Sequence, residues 1–72
     1  MRRLGRLRDV RESKFLSQQE LAERAGLSRV AITRLESGQV SAQYATIRKL
    51  AEALGIEPAE LVGDEADVKA AA

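Results

Sequence analysis

Cysteine and histidine are both absent from this 72-residue chain. Without cysteine no disulfide forms. Without either residue the usual zinc ligand sets and the Ser-His and Cys-His catalytic pairs cannot be assembled. Aromatics are reduced to Phe15 and Tyr44, and no stretch alternates apolar with polar residues as a half-buried strand does. No apolar run approaches the roughly 20 residues of a membrane span. Arg2 and Arg3 are not followed by the apolar core of a signal peptide. The chain therefore reads as a cytoplasmic protein of one domain, too small to enclose a substrate pocket, with no enzymatic activity and no metal or other cofactor expected. A core of this size is marginal, which favours a partner or a second copy.

What is present is basic first and acidic last. The formal net charge is only +1, yet residues 1–14 hold six basic and two acidic side chains, while residues 56–72 hold five acidic and one basic. A basic body suits a polyanion such as DNA; a solvated charged surface explains the same charges equally well.

Five helices are predicted. The first runs over residues 3–14, with Leu4, Leu7, Val10 and Arg11 on one stripe. The second opens on Ser17-Gln18-Gln19-Glu20, a capping box in which Ser17 and Glu20 satisfy each other's free amides, and closes at Gly26. Ser28 caps the third, which stops at Gly38. The fourth spans residues 44–54, with Ile47, Leu50, Ala51 and Leu54 facing inward, and ends at Gly55. The fifth is short, with Pro58 in its first turn and Leu61 and Val62 on its inner face. Residues 1–63 form the folded domain in this reading, and residues 64–72 a disordered acidic, alanine-rich tail.

The informative stretch is residues 16–38, LSQQELAERAGLSRVAITRLESG. Two short helices flank the tight turn Ala25-Gly26-Leu27, and Ala22 is small where the second helix must approach closely. Leu21, Ala25, Leu27, Ile32 and Leu35 are placed to share one core. That pattern is a helix-turn-helix, its second helix free to enter a major groove. Arg29, Val30, Thr33, Arg34 and Ser37 then lie away from the core. Arg29 and Arg34 suit guanine O6 and N7 or phosphate, Val30 suits a thymine methyl, and Thr33 suits either a base or the backbone.

These residues resemble the lambda-repressor/Cro-type (XRE-like) helix-turn-helix family: L-S-Q-x-E-L-A, then A-G-L-S, then I-x-R-L-E-x-G, then the A-x-A-L-G ending at Gly55. The resemblance covers residues 4–63 and implies an all-α, compact five-helix DNA-binding domain. It implies that Arg29, Val30, Thr33 and Arg34 contact bases. It gives Gln18, Ser28, Ser37 and Gln39 the phosphates, with Gln18 also bracing recognition side chains. It pairs Arg11 with Glu36 to join the first helix to the end of the third. The function implied is sequence-specific binding of double-stranded DNA by a transcriptional regulator, a repressor in the first reading, acting as a homodimer on a near-palindromic operator. The alternative is an antitoxin or restriction–modification controller type of interaction module that also binds its own promoter. RNA polymerase or a toxin are the further partners these readings imply.

Three departures from the family pattern stand out. Phe15 occupies a place where many relatives have glycine. It is either strained in a left-handed conformation or packs its ring over the core edge. The loop Gln39-Val40-Ser41-Ala42-Gln43 lacks the usual lysine, arginine and proline, so the phosphate contacts it loses fall to Arg2, Arg3, Arg6 and Arg8. Nothing after the fifth helix reads as a ligand-sensing or self-cleaving domain. Leu54, Ile56, Leu61 and Val62 are the apolar residues expected to exceed the core's needs and to supply a dimer face.

Overall fold

The computed structural model describes residues 1–62. The helices are α1 (Leu7–Ser13), α2 (Gln18–Ala25), α3 (Arg29–Glu36), α4 (Tyr44–Leu54) and α5 (Ala59–Val62). The expected tail over residues 64–72 lies outside the described residues. Among the described residues, no helix is long and apolar enough to cross a membrane.

Local chemistry sets most of the boundaries. Ser17 Oγ accepts the Glu20 amide at 3.0 Å while the Glu20 carboxylate accepts the Ser17 amide at 2.9 Å, so the capping box is complete. Of the two, the bond from the Ser17 amide is the one that reaches the Glu20 carboxylate, and with the nearby Ser17 hydroxyl it holds that carboxyl below its ordinary range. At the other end of α2, Gly26 is left-handed (φ +72°) and the Leu27 amide reaches back to the Ala22 carbonyl at 2.8 Å. A side chain there would meet nothing within 4 Å, so the site demands glycine for its backbone and not for space.

Two boundaries differ from the sequence expectation. Helix α1 begins at Leu7, four residues later than predicted. Arg2 is instead pinned in an antiparallel bridge to Ala42, with amide–carbonyl bonds of 2.9 and 2.7 Å, and the chain turns through Leu4 before the helix starts. Helix α1 also ends with the same back-bonded geometry as α2, the Leu16 amide returning to the Arg11 carbonyl at 3.3 Å, but the left-handed residue is Phe15 at φ +58°. Its ring is 93% exposed, so Phe15 is the strained alternative and covers no core edge.

One apolar core sits between the helices. Leu4, Leu7, Leu21, Ile32, Leu50 and Leu61 are its largest fully buried side chains. Helix α2 packs on both α3 and α4, and α1 packs on α3 and α5. Leu54 and Leu61, expected to be spare for a second copy, are consumed by this core; of that set only Ile56 and Val62 remain half-buried. The short α5 is held by its contact with α1, where the Arg6 amide donates to the Leu61 carbonyl at 3.0 Å.

Candidate nucleic-acid interface

Helix α3 divides cleanly. Ile32 and Leu35 are buried, each contributing about 1.5–3 kcal/mol on transfer from water. Ser28 caps the helix, its hydroxyl accepting the Ala31 amide at 3.1 Å. The outward side carries Arg29, Val30, Thr33 and Arg34, all exposed, with Val30 54% accessible. Among the described residues neither Arg29 nor Arg34 makes a side-chain hydrogen bond or ion pair, so both guanidinium groups point into solvent with five free donors each.

Behind this face lies a polar cluster centred on Glu36, the last residue of α3, whose side chain has no accessible surface. Its carboxylate is poorly placed by itself, being buried and at the negative end of a helix dipole. Arg11 compensates. Arg11 Nε donates to Glu36 Oε2 at 2.5 Å and Nη2 donates to Oε1 at 3.1 Å, a two-pronged fork. Arg11 Nη1 donates to the Leu16 carbonyl at 2.7 Å, tying the fork to the α1–α2 turn as well. Gln18 Nε2 adds a bond to Glu36 Oε1 at 3.0 Å, and Arg8 approaches the same oxygen at 3.5 Å. Burial alone pushes the Glu36 carboxyl up, but the bonds from Arg11 and Gln18 and the charge of Arg11 outweigh it, and the group ends below its ordinary range. The Arg11 guanidinium is raised, chiefly by its bond to Glu36 against a smaller cost of burial.

Gln18 carries this cluster to the outer face. It is half-buried at the first position of α2, and its Oε1 accepts the Thr33 hydroxyl at 3.1 Å. Ser28, Ser37 and Gln39 are exposed around the same face, but Ser37 already donates its hydroxyl hydrogen to the Arg34 carbonyl at 3.1 Å. Arg8, expected among the N-terminal phosphate-binding cations, instead joins this cluster; its helical spacing of three from Arg11 is the sequence signal for that place. Arg2 also departs from that group, since its backbone is committed to the bridge with Ala42. Tyr44, 57% exposed at the start of α4, carried no sequence signal beyond its being an aromatic on a helix end.

Comparison with known proteins fits this geometry. The helix-turn-helix family matches residues 7–61, which include all five helices but for the last residue of α5. The chain belongs to the helix-turn-helix family. Within it the similarity runs to DNA-binding regulators of the Cro/C1 type. The immunity repressor protein of Bacillus phage phi105 is 34% identical over 64 residues, covering 89% of this chain and 44% of that repressor. The cryptic phage CTXphi transcriptional repressor RstR of Vibrio cholerae is 36% identical over 60 residues, covering 83% of this chain and 54% of RstR. The chain thus spans about half the length of these two helix-turn-helix relatives. Among solved structures, the restriction-modification controller protein C.AhdI from Aeromonas hydrophila superposes with a TM-score of 0.77 at 45% identity, covering 82% of this chain and 91% of C.AhdI. The helix-turn-helix assignment thereby places α2 and α3 as the motif and α3 as its recognition helix.

Proposed function

We infer that this chain is a transcriptional regulator that binds a near-palindromic operator as a homodimer, α3 of each copy lying in one of two successive major grooves. The observation that carries the reading is the outward surface of Arg29, Val30, Thr33 and Arg34 on a helix fixed from behind by Ile32, Leu35 and the Arg11–Glu36 fork. Base contacts by those four residues give selectivity, and Gln18, Ser28 and Gln39 hold the flanking phosphates. Ser37 supports the phosphate set less well, because its hydrogen is spent inside α3. Dimerisation is part of this proposal and is drawn from the small size of the domain; in a dimer, two recognition helices about 34 Å apart would match one turn of B-DNA. Repression then requires only that the bound dimer occlude RNA polymerase.

Selection of bound duplexes from a random pool, followed by sequencing, tests this directly. Two inverted half-sites about 10 base pairs apart are expected, with affinity falling as salt rises. A pool that stays unenriched removes the reading.

A restriction–modification controller role is the second reading, favoured by the close match in length and fold to C.AhdI. It requires endonuclease and methyltransferase reading frames beside this one and an operator within their shared promoter.

A further inference from the structure

We propose that Thr33 reads its base only as a hydrogen-bond acceptor, and so selects an exocyclic amino group, adenine N6 or cytosine N4, in the major groove. The inference rests on the operator-binding reading above and adds the polarity of one contact.

Glu36 is ionised and can only accept, so the Gln18 group that faces its Oε1 at 3.0 Å is the amide nitrogen. That fixes which way the Gln18 amide points: its oxygen faces Thr33, 3.1 Å from the hydroxyl. Thr33 owns one hydroxyl hydrogen, and two acceptors already compete for it, Gln18 Oε1 and the Arg29 carbonyl, each at 3.1 Å. Either way the hydrogen stays inside the protein, and Gln18 Oε1 has the stronger claim, because giving the hydrogen to the Arg29 carbonyl alone leaves two lone-pair oxygens 3.1 Å apart. Turning it outward would leave the hydroxyl oxygen and Gln18 Oε1 facing each other at 3.1 Å as two lone-pair acceptors, and Gln18 cannot flip to relieve this without turning its oxygen onto Glu36. Thr33 therefore shows a duplex only lone pairs and a methyl group. In the major groove, adenine N6 and cytosine N4 are the donors; guanine N7 and O6, adenine N7 and thymine O4 are acceptors and find no hydrogen here. Arg29, Val30 and Arg34 are not coupled in this way, so the constraint is specific to Thr33.

The experiment uses the whole chain and the selected duplex. Thr33→Val keeps the shape and removes the hydroxyl at an exposed position. Selection with this variant identifies the base pair per half-site whose preference flattens. At that pair the amino-bearing base is replaced by its analogue without the amino group, purine for adenine or 2-pyrimidinone for cytosine. The native chain should lose about 3- to 10-fold in affinity, the worth of one hydrogen bond, and Thr33→Val should lose nothing further. A 7-deaza analogue that removes N7 at the same pair should leave the native affinity unchanged. Loss on N7 removal that Thr33→Val abolishes, or indifference to the amino group, overturns the proposal while an enriched operator leaves the operator-binding reading standing. Enrichment of no sequence at all removes both together.

Discussion

Removing the Arg11 guanidinium by Arg11→Ala is the sharpest test of how the recognition helix is held. The substitution deletes two bonds to Glu36 and one to the Leu16 carbonyl. It leaves a carboxylate with no accessible surface, supported only by Gln18 and by the more distant Arg8. Breaking a buried pair from one side costs about 3–5 kcal/mol. The lower end applies here, because Gln18 and Arg8 still serve one oxygen and Glu36 can relieve its burial by taking a proton. A domain of this length has a total stability of roughly 4–11 kcal/mol. A loss of about 3 kcal/mol therefore leaves the variant folded but near its limit, with a melting temperature lower by about 12–24 °C. Urea denaturation followed by circular dichroism reads the change. Replacing both partners, Arg11→Met with Glu36→Leu, should recover most of the loss, since no charge is then stranded. The fork is exonerated if Arg11→Ala stays within about 0.5 kcal/mol of the native chain.

The same cluster sets a pH dependence. The Glu36 carboxyl titrates below its unfolded value, so its contribution is complete above the ordinary glutamate range, about pH 4.3, and is lost as pH falls through the lower folded value. The stability gap between the native chain and Arg11→Ala should accordingly narrow in acid, and denaturation curves at pH 7 and pH 3 compare it. Phe15→Gly removes a left-handed strain of about 1–2 kcal/mol against a chain-entropy cost of about 0.5–1 kcal/mol. Because the ring covers nothing, thermal melts should rise by a few degrees; a fall would show that the ring is held. Gly26→Val forces a β-branched residue to φ +72° and should cost about 2 kcal/mol or more in urea titrations. Arg34→Ala should weaken the selected operator by about 1–3 kcal/mol while sparing random duplexes, as measured by anisotropy; an equal loss on both assigns Arg34 to phosphate.

The helices that begin with a side-chain cap or end at a left-handed glycine were legible in the sequence to within a residue or so. Ser17 with Glu20, Ser28, Gly26 and Gly55 are local signals whose bonds need nothing distant. The start of α1 was not legible, because the Arg2–Ala42 bridge joins residues 40 apart and a single bridge has no periodicity. The apolar stripe of α4 was read correctly, yet Leu54 and Leu61 were assigned to a dimer face that the core has already used. Burial of α5 depends on α1, which no pattern within α5 encodes. At the candidate interface, the outward residues of α3 followed from the helical period alone. The chain of bonds from Arg11 through Glu36 and Gln18 to Thr33 spans three helices, and its polarity exists only once they are packed.

The free ends of Arg29, Val30 and Arg34 bear on how such a protein changes its target. All three are exposed and Arg29 and Arg34 make no side-chain bond among the described residues, so exchanging them is expected to cost folding little, and under the proposed function to redirect base preference. Thr33 stands apart, since altering it disturbs its neighbour Gln18 as well. A redesign of specificity at these three positions is therefore expected to leave the melting temperature in place, whereas one at Thr33 is expected to need a matching change at Gln18.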